Sequence, residues 1–274
     1  MKTEVSIIIA FYNNLDFLKK VLSGFKRQQF QSFELVIADD GSNEEVVRDL
    51  NKLIKTESIS IQHVWHKDSG WRKTQILNKA VQATKGNYLI FIDGDCIPHC
   101  GFVKEHYENR KKGTFLAGRR VHLSPRITES LTTDRIEKGY LEHPFKLLWD
   151  SVKPRPRTKN AEKSIYVGSK AIRSWINSKP KELLGCNMSM HKSDLLSLNG
   201  FDERYVDPGV GEDIDLYVRA RQAGFDVQSV KNIAIQYHMD HGRSDRSDQE
   251  RNFAILEDNR SNQVTKTAFS IFST

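Results

Sequence analysis

Cysteine is scarce in this chain: Cys96, Cys100 and Cys186 are the three among 274 residues. So small and odd a number excludes a disulfide framework and is expected of a protein working in a reducing compartment. Long apolar runs are missing too. None approaches the roughly 18–20 residues of a membrane-spanning helix. The strand-like Val5-Ser6-Ile7-Ile8-Ile9 starts so early that no secretory leader is expected before it. Neither Gly-x-Gly-x-x-Gly after the first strand nor Gly-x-x-x-x-Gly-Lys-Ser/Thr occurs. Dinucleotide and P-loop sites are therefore disfavoured, and a nucleotide bound here would need acidic side chains plus a metal. Cys96, His99 and Cys100 lack a second Cys/His pair at finger-like spacing, which argues against structural zinc.

What is present fits a globular protein with a real core, 38% hydrophobic and 28% charged. Acids are thin in one segment. Between Lys146 and Lys181, ten Lys and Arg stand against Asp150 and Glu162, so this stretch alone carries more than the whole chain's net +7. Such a patch should meet a phosphate-bearing partner: nucleic acid, anionic lipid or a diphosphate-linked substrate. The plainer reading is a solvated insertion. With Trp149, Tyr166 and Trp175 interleaved, Lys153–Lys181 is expected to dock an anionic membrane or a lipid-diphosphate acceptor.

The first hundred residues alternate strand and helix patterns. Strands are expected at Val5–Ile9, Phe33–Ile37, Ile59–Val64 and Tyr88–Ile92. Helices are expected through Leu15–Phe25, Val46–Ile54 and Ile76–Val81. This predicts an α/β fold with a mostly parallel central sheet, flanked by helices and joined by right-handed crossovers. Ligands of such sheets bind at the carboxyl ends of the strands, where Tyr12, Asn13, Asp39, Asp40 and Asp93 fall. Beyond the irregular stretch from Arg119 to Glu182, the patterns predict a strand over Leu183–Met190 and a helix over Ser193–Leu198. A loop from Asp207 to Asp213 then feeds a helix over Ile214–Ala223. A last strand is expected over Ile233–Tyr237 and a helical tail from Gln249 to Asn259.

Four constellations carry chemistry. Asp93-Gly94-Asp95 puts two carboxylates at a strand's end, an oxygen-rich site suited to Mg²⁺ or Mn²⁺; the alternative is an ordinary turn. Glu212-Asp213 at a helix N-terminus reads either as a cap or as a general base delivered by a glycine-flanked loop. His238 and His241 are either surface residues or imidazole ligands, and a mixed carboxylate–imidazole set suits Mn²⁺ better than Ca²⁺. Asp39 can read the edge of a base and Tyr12 can flank its ring, while Lys67, Arg72 and Lys73 can neutralise a diphosphate.

Taken together and in this order, Tyr12-Asn13, Asp39-Asp40-Gly41-Ser42, Lys67-Asp68-x-Gly70, Asn78, Asp93-Gly94-Asp95, Gly211-Glu212-Asp213 and His238 resemble family 2 glycosyltransferases of the GT-A fold. Gly185-Cys186-Asn187-Met188-Ser189-Met190 through Gly200-Phe201-Asp202-Glu203 to Glu212-Asp213 is similar to the C-terminal module of chondroitin-polymerase-type and β-1,4-galactosyltransferase-type enzymes. The resemblance covers about 4–118 and 183–242 and lapses over 119–182. It implies one GT-A (Rossmann-like) domain over 1–274. Its 1–100 half binds the nucleotide-sugar, its 101–242 half binds the acceptor and carries the basic insertion at about 119–182, and 243–274 is a tail. The implied activity is inverting, metal-dependent transfer from a UDP-sugar to a saccharide or lipid-linked acceptor in bacterial surface polysaccharide or lipopolysaccharide synthesis. The implied metal is Mn²⁺ or Mg²⁺, and the implied location is cytoplasmic, peripheral on the membrane's inner face.

By the same resemblance, Ala10, Tyr12, Asn13, Asp39, Lys67, Asp68, Asn78, Asp93 and Gly94 would hold the nucleotide-sugar, with Asp39 on the uracil and Asp93 on ribose or metal-bound water. Asp95 with His238 would hold the metal, Asp93 assisting and His241 the rival. Asp213 would be the base, with Glu212 orienting the acceptor. Ala10 departs from the family's usual Pro, implying a less rigid first loop. A sugar-nucleotide-forming nucleotidyltransferase or a nucleic-acid-binding protein are the competing classes. The second leaves Asp39, Asp95, Asp213 and His238 without a role, and no nucleic-acid partner is expected.

Overall fold

The computed structural model describes residues 3–177, 182–209, 211–242 and 249–273. Lys181 at the end of the basic segment, Val210 and the start of the tail beyond Gly242 lie outside the described residues. The first half alternates as expected: β1 Val5–Phe11, α1 Leu15–Phe25, β2 Phe33–Asp39, α2 Glu44–Thr56, β3 Ile61–Trp65, α3 Lys73–Ala83 and β4 Tyr88–Asp93. Next come β5 Cys96–Pro98, α4 Phe102–Glu108, β6 Thr114–Ala117 and β7 Val121–His122. Short helices α5 Pro125–Ser130, α6 Thr133–Glu137, α7 Pro144–Ser151 and α8 Lys170–Ile176 fill the irregular stretch. The chain continues through β8 Met188–His191, α9 Lys192–Ser197, α10 Glu212–Gln222, β9 Asp226–Ser229, β10 Gln236–His238 and α11 Glu250–Ser261.

Seven strands form the central sheet in the order β3-β2-β1-β4-β8-β6-β9, and β5-β10-β7 form a small second sheet. The strands β3, β2, β1 and β4 are mutually parallel, while β8 runs antiparallel between β4 and β6. In β1 and β2 nearly every residue is buried, because helices cover both faces of the sheet; this is why they read as continuous apolar runs rather than alternating ones. Ile7, Ile9, Leu35 and Ile37 pack with Leu18, Leu22 and Phe25 of α1. On the other face Ile8, Val36 and Leu89 meet Ile76, Leu77 and Ala80 of α3 and Leu216 of α10. Each such Ile or Leu contributes about 1.5–3 kcal/mol by leaving water. Asn14 and Asn43 cap α1 and α2 by accepting from the Phe17 and Val46 N–H groups.

The later half corrects several expected boundaries. The strand expected over Leu183–Met190 begins only at Met188, because Asn187 folds back: its N–H donates to the Leu184 carbonyl at 2.7 Å. Its side chain is spent on the Arg119 and Ala234 carbonyls and on buried His106. The last strand is Gln236–His238, because Val230–Ile235 is taken up by turns. Helix α10 starts at Glu212, two residues early, so Glu212, Asp213 and Asp215 all fall in its first turn. One turn on, buried Arg219 pairs with buried Asp215 at 2.7 Å and donates to the Leu198 and Gly200 carbonyls. Asn259 of α11 donates to Asp215 at 2.7 Å, which fastens α11 to α10. Removing one partner of such a buried pair costs about 3–5 kcal/mol.

Candidate functional site

The carboxyl ends of β1, β2 and β4 open on a cleft of about 960 Å³. Ala10, Phe11, Tyr12, Asp40, Asp68, Trp71, Lys73, Asp93, Gly94, Asp95, Asp207 and His241 line it. Two loops meet at its base. Gly41 has φ +94°, and a Cβ there would come within 2.5 Å of the Asp68 Cα, so only glycine lets the loops touch. Tyr12 is half exposed over the cleft, and its hydroxyl donates to Asp68 at 3.2 Å.

Two nucleotide-binding expectations move. Asp39 does not face the cleft: it is fully buried, Oδ1 accepts from the Ser42 N–H at 2.8 Å and Oδ2 pairs with His63 Nε2 at 2.9 Å. Its neighbour Asp40 lines the cleft instead, accepting from the Arg72 N–H and paired with His66. Burial raises the Asp40 carboxyl above its ordinary value. Asn78 likewise is a core bracket: its side chain accepts from the Phe201 N–H and donates to the Phe201 carbonyl and to Glu203. Lys67 is exposed and outside the cleft lining, and Asn13, at φ 54°, ties the first loop to Ser42 and Asn43.

The Asp-Gly-Asp motif divides. Asp93 accepts from the Lys73 ammonium at 3.0 Å, and the same ammonium reaches Glu212 at 2.8 Å. Burial alone would lower the Lys73 pKa; the two carboxylates outweigh it and hold the ammonium charged. Lys73, which the sequence suggests as a diphosphate partner, thus joins the end of β4 to the start of α10. Asp95 turns away to the histidines: His241 Nε2 lies 2.8 Å and His238 Nε2 3.4 Å from Asp95 Oδ2. Burial would raise the Asp95 carboxyl, but hydrogen bonds from His238 and His241 hold it well below the usual carboxylate range. Both imidazoles therefore converge on one carboxylate, and neither is merely the other's rival.

The donor atoms of Asp95, His238 and His241 lie within 4.8 Å of one another, which fits a divalent cation with carboxylate and imidazole ligands. A second group, His99, Cys100 and Glu142, is as tightly gathered. There Glu142 is spent on the Arg27 guanidinium and His99 Nδ1 accepts from the Gly101 N–H. That makes it the poorer cation site.

Asp213 sits beside Glu212, its Oδ2 accepting from the Gly185 N–H at 2.9 Å and its Oδ1 from the Ile214 N–H at 2.8 Å. Burial, then repulsion from Glu212, push its carboxyl up to about 6. Gly185 permits the approach: a Cβ there would stand 2.9 Å from Glu212 Oε1. Sequence reasoning missed Arg120, whose guanidinium donates to Cys186 Sγ at 3.2 Å, between β6 and β7. The Arg119-Arg120 pair following a strand was its only signal. Trp71 and Asp207, from loops flanking α3 and α10, complete the wall.

A parallel sheet with acids converging at its carboxyl edge, a carboxylate–imidazole cluster and a buried acid near neutrality define a nucleotide-sugar enzyme. The chain belongs to glycosyl transferase family 2, whose model matches residues 6–172; a second model, described as the N-terminal domain of galactosyltransferase, matches 169–242. It is 32% identical over 108 residues to chondroitin synthase of Escherichia coli, a match covering 38% of this chain and 15% of that protein. It is 31% identical over 91 residues to the Escherichia coli UDP-Glc:alpha-D-GlcNAc-diphosphoundecaprenol beta-1,3-glucosyltransferase WfaP, covering 33% of this chain and 35% of that one. The matches thus span well under two thirds of these relatives' length. Among solved structures, TarS 1-349 of S. aureus in complex with UDP-GlcNAc superposes with a TM-score of 0.56 at 15% identity, over 88% of this chain and 60% of that one. The fold is the GT-A fold, and the protein is a glycosyltransferase. No helix among the described residues is long and apolar enough to cross a membrane.

Proposed function

We propose inverting, metal-dependent transfer of a sugar from a UDP-sugar to a hydroxyl of a saccharide or lipid-linked acceptor, in bacterial surface polysaccharide or lipopolysaccharide synthesis. The observation that carries this reading is the Asp93–Lys73–Glu212 bridge. It ties the donor-side acid to the acid pair at the head of α10, beside a carboxyl whose pKa of about 6 suits a general base. The relatives' names, with UDP-Glc and a diphosphoundecaprenol acceptor in one case, point the same way.

In this reading Tyr12 and Asp40, rather than Asp39, contact the base, and Asp93 and Gly94 border the ribose. Asp95, His238 and His241 hold the cation, which when bound supplies Lewis-acid neutralisation of the leaving diphosphate. Glu212, fixed by Lys73, orients the acceptor. The unprotonated Asp213 carboxylate takes the acceptor hydroxyl's proton as the oxygen attacks the anomeric carbon from the face opposite UDP. Residues 1–100 then form the donor half and 101–242 the acceptor half.

A panel of UDP-sugars, assayed for UDP release with Mn²⁺, with Mg²⁺ and with chelator, tests the proposal. Release from at least one donor, inverted configuration in the product and loss on chelation are expected. Release unaffected by chelation, or a retained configuration, would overturn it. Formation of sugar-nucleotide from a nucleoside triphosphate would instead favour a nucleotidyltransferase.

A further inference from the structure

We propose that the outward face of α7, with the turn that follows it, is a docking surface for an anionic lipid bilayer. Helix α7 buries Leu147 and Asp150 and turns the opposite side outward, where Phe145 is 81%, Trp149 70% and Val152 71% exposed. Spaced four and three residues apart, these positions form one stripe. Lys146 borders it, and Lys153, Arg155, Arg157 and Lys159 follow, all exposed.

The acid that would cancel these cations faces inward. Asp150 Oδ2 accepts from the Thr158 N–H and hydroxyl at 2.9 and 2.8 Å, and Oδ1 accepts from Arg126 at 3.2 Å. Those bonds also close the turn, and Lys159 exchanges two backbone hydrogen bonds with His122 of β7 at 2.8 and 3.0 Å. The cations are therefore presented on a turn fixed at both ends. Helix α8 repeats the arrangement: none of its residues is buried, and Ile172 and Trp175 are 52% and 80% exposed beside Lys170.

Charge complementarity selects the occupant. An aromatic and aliphatic stripe with a cationic rim matches the bilayer interface, where Trp sits at the headgroups and Lys and Arg meet anionic lipid. A second copy of this face would set its own cations against each other. The inference does not depend on which sugar the enzyme transfers.

Flotation of the full chain on phosphatidylcholine vesicles with and without phosphatidylglycerol tests it. The protein should float only with the anionic lipid, release as salt rises, and show a blue shift in tryptophan emission. Lys153→Gln, Arg155→Gln and Arg157→Gln should each lower partitioning about fivefold. Phe145→Ser with Trp149→Ser, both surface changes verified by circular dichroism, should abolish the blue shift and weaken flotation. Equal flotation with and without anionic lipid, or flotation indifferent to both sets of variants, would overturn the proposal. So would a nucleic-acid mobility shift without vesicle binding, or a dimer in sedimentation that the Phe145→Ser, Trp149→Ser variant dissolves.

Discussion

Asp93 and Asp95 stand one residue apart and end in different networks. Asp93, the last residue of β4, is bound to an ammonium and through it to α10; Asp95 leads into β5 and is bound to two imidazoles. The pivot is Gly94, whose N–H donates to the Ala10 carbonyl at 2.8 Å and turns the chain from the large sheet to the small one. A motif that reads as one pair of ligands thus serves two tasks. Chemistry on the two sides can be broken separately.

The largest effect is expected from Asp95→Ala, which removes the carboxylate shared by both histidines. Titration calorimetry should show metal-dependent UDP binding abolished, and binding that stays unchanged would break the distinction between the two acids. Asp213→Asn comes next: kcat should fall roughly 10²–10⁴-fold while UDP binding persists. The wild-type pH profile supplies the sign. Protonation disables the base, so kcat/KM should rise with pH through about 6 and level off above it; a profile flat from pH 5 to 8, a window set around that value, would remove Asp213 from the role. Lys73→Met deletes the cation that lowers the Asp213 pKa, so the acid limb should move to higher pH while metal affinity changes little. The smallest effect separates two neighbours. Asp40→Asn should weaken UDP binding about tenfold at unchanged melting temperature, whereas Asp39→Asn should cost about 1–3 kcal/mol of stability, read from denaturant midpoints, as a buried acceptor is lost.

The parallel half of the fold was legible because β1, β2 and β4 are buried on both faces and announce themselves as apolar runs. Asp95, His238, Glu212 and Asp213 were legible as acids and imidazoles at element ends, and the structure brings them to one edge. What could not be read was direction. Asp39 is still in register with Phe11 on one side and Trp65 on the other, so its side chain stays inside the sheet layer, while Asp40 has left the ladder. No composition or spacing distinguishes two adjacent aspartates in this respect. Asn78 looks polar and available, yet it is consumed by the backbone of a segment more than a hundred residues away. Lys73 was readable as a cation but not as a bridge, since both of its partners come from distant strands and helices. The α7 stripe was visible only as a basic, aromatic-rich stretch, because its helix is too short for periodicity to stand out.

The small sheet places the metal-cluster residues with unusual economy of chain: His238 of β10 is the register partner of Cys96, and the Met239 N–H donates to the Asp95 carbonyl at 3.0 Å. Residues 95 and 238 are therefore joined by backbone pairing across most of the sequence. During synthesis, the nucleotide-facing strands can form long before β10 leaves the ribosome, but the cluster cannot close until it does. An unfinished or clipped chain lacking that strand would keep a donor-shaped cleft and have no second half to its cation site, so premature products of this polypeptide are disarmed by their own topology.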